Sequence, residues 1–401
     1  MHWPNSRMLS VTQAESPTPL PLPAGFHCHV ANIGIKDDSD DFVVVVADRR
    51  CAASGLFTLS SFAGPSVVVS RRNVADHAAQ AVVVISKNAN VATGDVGLDN
   101  AEEVAAGVAA RLGLDAADVL IASTGVIGRP YPMERVRAGL AHMPSFLTGS
   151  DACAVARGIM TTDTVMKTAS ANAAAARVVG VAKGVGMIEP DMATLITLLL
   201  TDAEIEPDEL DAMFRRVIDR TFNCVSVDTD TSTSDTAIVL ASGAAGPVPA
   251  DELEQALFAV ARSLTRQVAR DGEGATTLIE VCVDGAADLR QARLVAKAIV
   301  NSPLVKTAVH GADPNWGRVA MAVGKATTAD EVDQTRVVIR FGDQEVYPAT
   351  VDEAGLARLS GYMRGDEVRI HVSLAAGEAT ATVWGCDLTD GYVRINADYT
   401  T

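Results

Sequence analysis

Lys183-Gly184-Val185-Gly186-Met187-Ile188-Glu189-Pro190-Asp191-Met192-Ala193-Thr194-Leu195-Ile196 is the stretch from which the rest of the chain is read. A polar, glycine-rich turn runs into an apolar segment that continues to Leu200. Two glycines and a proline permit unusual backbone shapes there. One hydroxyl residue, Thr194, stands at the junction behind the small Ala193, and Lys183 precedes it in the turn. The plain reading is a loop feeding a core strand or helix. The sharper reading makes Thr194 a nucleophile at the end of a rigid element. If the Ala193–Thr194 bond is cut, Thr194 gains a free α-amine. Such amines have pKa values of about 7.7–8.0 in reference peptides, so this one could act as base for its own hydroxyl. The cut needs no protease: the hydroxyl attacks the Ala193 carbonyl, an ester forms, and water opens it.

Around this stretch the pattern is mixed α/β. Phe42–Val46, Val67–Val69 and Ala81–Ile85 are β-branched runs that suit strands covered on both faces. Val119–Ala122 and Val178–Ala182 read as further strands, the second delivering the central turn. Asn100, with Glu103 three residues on, predicts a capping box and a helix to about Leu112. Met133–His142, Pro207–Phe222, Ala250–Ala269 and Leu289–Ile299 have helical character. The last third reads as a smaller α+β unit with strands at Arg336–Phe341, Val368–Val372, Ala379–Trp384 and Tyr392–Asn396. The pattern suggests a disordered tail over 1–24 and a C-terminal α+β domain over 286–401.

Composition excludes several function classes. Hydrophobic residues make up 48% of the chain but aromatic ones only 4%, so the cores must be built from small aliphatic side chains. A net charge of −17 argues against nucleic acid and against an anionic membrane surface. Small anionic substrates stay open, because a local site can oppose the global field. The six cysteines are scattered without a C-x-x-C pair, which speaks for a reducing, cytoplasmic setting and against structural zinc. No cofactor or metal is called for. Asp228-Thr229-Asp230 opens an Asp/Thr-rich run that invites a calcium reading, but the glycine and distal glutamate of a calcium loop are missing. Gly180 to Gly186 matches neither phosphate-loop pattern. His310 lacks a G-x-S-x-G nucleophile elbow to serve.

Other turns carry possible chemistry. Ser123-Thr124-Gly125 ends a strand with a hydroxyl beside a backbone N–H, a pairing able to donate to a developing oxyanion. Thr161-Thr162-Asp163-Thr164 is a polar edge, and Asp271-Gly272-Glu273-Gly274 ends a long helix. These motifs, with Lys87 to Gly94 and Asp313 to Arg318, occur in an order that resembles the ornithine acetyltransferase family, also called glutamate N-acetyltransferases. The resemblance runs from Gly25 to Thr401.

That resemblance implies an α/β fold, a stacked-sheet sandwich flanked by helices, similar in layout to N-terminal-nucleophile hydrolases. It implies self-cleavage between Ala193 and Thr194, with residues 1–193 and 194–401 remaining together as α and β chains and pairing into α2β2 or larger assemblies. That cut would divide the region between tail and C-terminal domain into 25–193 as α chain and 194–285 as the start of a β chain completing the catalytic sandwich. Thr194 would carry an acetyl group from N-acetylornithine to glutamate by ping-pong transfer. Thr124 and Gly125 would form the oxyanion hole. Thr161 or Thr162, Lys183, Thr194, Glu273, Asn396 and Thr401 would contact substrate. One departure stands out: Val185 occupies a position where arginine-pathway members commonly have serine, and Lys-Gly-Val-Gly-Met is more similar to the paralogue of clavulanic acid clusters. A competing reading is a threonine amidase or aminopeptidase with water as acceptor. A non-enzymatic reading makes the Gly/Lys turn a ligand-binding loop.

Overall fold

The computed structural model describes residues 11, 19–189 and 195–398. Its larger sheet contains β1 (Phe26–Ala31), β2 (Phe42–Phe57), β3 (Ala78–Ile85), β4 (Val119–Ser123), β5 (Lys167–Ala173), β6 (Ala176–Lys183), β7 (Ile196–Glu204) and β8 (Thr236–Pro247). The order is β4-β3-β2-β8-β7-β6-β5, with β1 paired to β2. β3/β4 and β7/β8 are parallel, and the other neighbours run antiparallel.

β2 makes this sheet a sandwich. Its first half pairs with β1 and β3, and its second half pairs with β8. Between them the register to β3 slips from Val46 to Cys51, and Asp48, Arg49 and Arg50 turn out to solvent. A bulge of this kind bends a strand and strengthens its twist. The two halves share one core: Val43, Val45, Val84 and Leu120 lie in the same buried cluster as Val179, Val181, Ile196, Leu198 and Ile238. The outer face of the β1–β4 half is covered by helices Gly94–Leu112 and Met133–His142. The outer face of the β5–β8 half is covered by Pro207–Asp219 and Ala250–Arg270. The expected stacked-sheet α/β sandwich is therefore present.

Helix Ala250–Arg270 also touches a second sheet. That sheet has the order β11-β10-β12-β9-β13, from β9 (Leu278–Ala286), β10 (Val338–Phe341), β11 (Gln344–Tyr347), β12 (Glu367–Ser373) and β13 (Ala379–Cys386). β9 pairs parallel with β12 and antiparallel with β13. A strand assigned on sequence to the 194–285 region thus lies in the middle of the smaller sheet.

Three local expectations fail for physical reasons. Val67–Val69 lies in the helix Pro65–Asn73, because Pro65 at the first turn starts a helix whose Val67 and Val69 are buried while Val68 faces solvent. Asn100 does not cap: the helix begins at Gly94, and Glu103 pairs with Arg137 at 2.6 Å. Tyr392–Asn396 is part of the helix Asp390–Asp398, which an Asp390–Arg394 pair one turn apart supports. The expected tail to Ala24 also shortens, since Leu20 and Leu22 are buried in the sandwich core and the Leu20 N–H donates to Asp151. Among the described residues, no helix is long and apolar enough to cross a membrane.

β6 can lie close to helix Ala250–Arg270 because of Gly180. A Cβ there would fall 2.6 Å from Leu199 and 2.7 Å from Val260 side-chain carbons. Gly180→Ala is expected to cost about 1–3 kcal/mol by overpacking, read as a lower urea midpoint with an unchanged denaturant slope.

Candidate active site

β6 ends at Lys183 and β7 begins at Ile196, and these two residues are cross-strand partners. The central stretch is thus the connection between adjacent antiparallel strands. Pro190 to Thr194, with Ala193 and Thr194 among them, lie outside the described residues, as does Thr401. The Met187 and Ile188 N–H groups donate to the two oxygens of Asp228, each at 2.7 Å. Met187 has φ +56°, a left-handed conformation costly for a side chain of its size, and the Asp228 carboxylate offsets that cost. The Glu189 N–H donates to the Asp230 carbonyl, and the Thr231 hydroxyl to the Glu189 carbonyl. On the far flank the Thr236 N–H donates to the Leu195 carbonyl at 2.9 Å. The Asp/Thr-rich run that invited a calcium reading therefore binds three backbone N–H groups on one side of the connection and a backbone carbonyl on the other.

Across the sandwich, the Lys183 ammonium donates to the Thr124 hydroxyl at 3.1 Å. Thr124 directly follows β4, and its N–H donates to the Ile85 carbonyl at the end of β3. Gly125 lies flat against the next loop, with φ +128°, and a Cβ on it would fall 2.2 Å from the Lys87 carbonyl carbon. Only glycine fits there. The Lys87 side chain runs the other way, to Asp37 at 2.6 Å and the Ser39 carbonyl at 2.7 Å.

Behind Lys183 is a buried charge cluster. Lys167, fully buried, donates to Asp163 at 2.7 Å and to Asp271 at 2.5 Å. Asp163 also accepts from the Gly184 N–H at 2.7 Å and the Thr161 N–H at 3.1 Å. Asp271 accepts from both the N–H and the hydroxyl of Thr164. Burial alone would raise the Asp163 pKa, but the charges of Lys183 and Lys167 and the donated hydrogen bonds override it and bring it to about 2. Burial is the main reason the Lys183 ammonium titrates below its ordinary range; Lys167 adds to that fall, while Asp163, Asp235 and Glu273 oppose it.

Two residues beyond Asp271, Glu273 leans on the glycine turn. Its N–H donates to the Val185 carbonyl at 2.9 Å, and a Cβ on Gly186 would fall 2.7 Å from its carboxyl carbon. Its Oε2 accepts from Asn396 Nδ2 at 2.9 Å. The helix carrying Asn396 is tied to the same turn, since the Thr389 hydroxyl donates to the Gly274 carbonyl. Val185 itself is buried.

The structure thus brings together Thr124, Gly125, Lys183, Glu273 and Asn396. Thr161 joins through its backbone on Asp163. The Thr162 side chain is exposed. Sequence reading missed Lys167 and the roles of Asp163, Asp228 and Asp271. Asp163 had a signal in the three threonines around it; Lys167, at the head of a small-residue strand, had none.

An ammonium touching a hydroxyl beside a glycine turn, with a carboxylate at the other end, suits acyl transfer between amino-acid substrates. The comparisons with known proteins agree. The ArgJ family model matches residues 27–401, and the chain belongs to that family of acyltransferases. It is similar to the arginine biosynthesis bifunctional protein ArgJ 2 of a Nostoc species, at 55% identity over 379 residues, covering 94% of this chain and 98% of the relative. It is equally similar to the glutamate N-acetyltransferase Oat2 of Streptomyces clavuligerus, at 55% over 387 residues, with 94% and 98% covered. A crystal structure of the arginine biosynthesis bifunctional protein argJ from Bacillus halodurans is 41% identical and covers 49% of this chain and 96% of that chain, with a TM-score of 0.47.

Gly125→Ala, whose Cβ would fall 2.2 Å from the Lys87 carbonyl carbon, is expected to cost about 1–3 kcal/mol or more by overpacking, read as a lower thermal midpoint.

Proposed function

We propose that the chain cleaves itself between Ala193 and Thr194 and then moves an acetyl group from N-acetylornithine to glutamate through an acetyl ester on Thr194. The observation that carries this is the meeting of Lys183 with Thr124 at 3.1 Å, at the end of the strand pair whose connection contains the Ala193–Thr194 bond. The relatives' names, arginine biosynthesis bifunctional protein and glutamate N-acetyltransferase, support the same chemistry.

In this reading the Thr124 hydroxyl and the Gly125 N–H stabilise the oxyanion, both during cleavage and during each transfer. Donors aimed at developing charge supply much of an acyltransferase's rate. The new α-amine of Thr194 is the base. Lys183 pairs the substrate α-carboxylate and Glu273 pairs its amine. Asn396 orients Glu273 through the 2.9 Å hydrogen bond. Thr161 or Thr162, with Thr401, completes the substrate contacts. The two chains stay together through a shared sheet, because β6 lies before the cut and β7 after it, paired edge to edge. Assembly into α2β2 or larger particles, a cytoplasmic location, and a role in arginine or related specialised metabolism belong to the same proposal. The buried Val185 next to the Glu273 anchor is where the specialised variant would differ.

Intact mass spectrometry after incubation with N-acetylornithine is expected to show two chains, divided before Thr194, with one acetyl group on the second. Thr194→Ala should give one uncleaved chain and no adduct. A fully active, uncleaved Thr194→Ala protein would sink the proposal. If glutamate neither speeds ornithine release nor becomes acetylated, the enzyme is a hydrolase instead. Glu273→Gln is expected to raise KM at least tenfold with a smaller change in kcat, since a charge-assisted pair is worth about 1.5–3 kcal/mol.

A further inference from the structure

The cluster behind Lys183 has a property that its separate bonds do not show. The formal charges of Lys167, Lys183, Asp163 and Asp271 cancel, and all four groups are withdrawn from solvent. Lys167 is held by two carboxylates, whereas Lys183, among the described residues, has only the hydrogen bond to Thr124 and no ion pair. Asp163 is the member that serves both lysines. One oxygen takes Lys167 and the Gly184 N–H, the amide directly after Lys183, and the other takes the Thr161 N–H. Asp271 touches Lys167 and Thr164 on the far side.

We propose that Asp163 is a positioning residue for acyl transfer: it fixes the end of β6 and keeps Lys183 charged against Thr124, with Lys167 as its counterweight. The proposal rests on the reading of Lys183 as a substrate contact. Thr124, after β4, takes the Lys183 hydrogen bond, and the charges that act on Lys183 are those of Asp163 in the 159–166 loop, Lys167 on β5, Asp235 before β8 and Glu273 in the turn after the long helix. Of these, Asp163 and Lys167 act on Lys183 with opposite sign and are themselves joined by a 2.7 Å hydrogen bond. An ammonium loses its proton as pH rises through its pKa. Activity that needs charged Lys183 therefore has an alkaline limb, and the pKa directions of Lys183 and Asp163 agree with that sign.

The test is the pH profile of acetyl transfer, normalised to folded enzyme, for the full chain and four variants. Asp163→Asn keeps the shape but removes the negative charge, so the alkaline limb should move down by about one pH unit. Lys167→Met removes the like charge, so the limb should move up. Asp271→Asn breaks the same number of Lys167 ion pairs as Asp163→Asn, but Asp271 is bonded to Thr164 and not to the end of β6, so its limb should stay in place while thermal stability falls. A merely structural role predicts that Asp163→Asn and Asp271→Asn lose activity alike at every pH, and that result would overturn the proposal. If Asp163→Asn does not fold, Lys167→Met decides: an unmoved or lowered limb overturns it. Lys183→Met separates the two readings. If it keeps the wild-type profile, Lys183 is not a substrate contact; if it abolishes the limb while Asp163→Asn leaves the limb unmoved, only the present inference fails.

Discussion

A lysine buried between two aspartates, Asp163 and Asp271, is the constraint on which the site depends. An ammonium withdrawn from water is costly, and it persists only where its partners are close and the remaining lone pairs are used. Here they are used by backbone. Asp163 takes the N–H groups of Thr161 and Gly184, and Asp271 takes that of Thr164. Three loop amides that no strand could satisfy are thereby paired. Removing either aspartate would leave a buried charge half-met, a loss of about 3–5 kcal/mol. The same bonds fix the distance between the end of β6, which carries Lys183, and the turn that carries Glu273.

A second anchor works from the opposite side. Asp228 holds the Met187 and Ile188 amides, and the 230–236 backbone holds both Glu189 and Leu195. The glycine turn is therefore gripped from the N-terminal part of the chain by Asp163 and from the C-terminal part by Asp228. Gly186 leaves room for the Glu273 carboxylate, while Gly125, across the sandwich, is required where it lies on the Lys87 backbone. The bend in β2 matters equally. The slip at 47–50 lies between the part of β2 that pairs with β1 and β3 and the part that pairs with β8, and Thr124 and Lys183 come from these two halves and meet across the sandwich.

Legibility in the sequence followed the range of the interactions. Strands written as continuous β-branched runs, such as Ala81–Ile85 and Val178–Ala182, and helices of clear period, such as Ala250–Ala269, lie where expected, because local pattern and burial agree there. Val67–Val69 misled because three valines are as compatible with one helical turn as with a strand, and Pro65 decided between them. Tyr392–Asn396 misled for a similar reason: a short apolar alternation at the chain's end, with Val393 and Ile395 in fact exposed on a helix. Of the site, Thr124, Gly125, Lys183 and Glu273 stood out through their turn motifs. Lys167 did not, and Asp228 stood out only as the start of a run read for calcium, since neither a buried cation nor an amide-binding carboxylate marks its role in the local pattern.

What the sequence by itself determined is the residue types that can do the chemistry and the family to which the chain belongs, because motifs such as Met-Ala-Thr after a glycine turn are written in contiguous residues. It also determined the small-aliphatic cores, through composition. Only the tertiary structure decided that Lys183 touches Thr124, that Asn396 orients Glu273 from a helix, and that an Asp/Thr-rich run binds the backbone of the central turn. Those contacts join residues 40 to 123 positions apart, and no local pattern encodes them. They follow from a bent strand, the pairing of β6 with β7, and the cost of leaving a buried charge or amide without a partner.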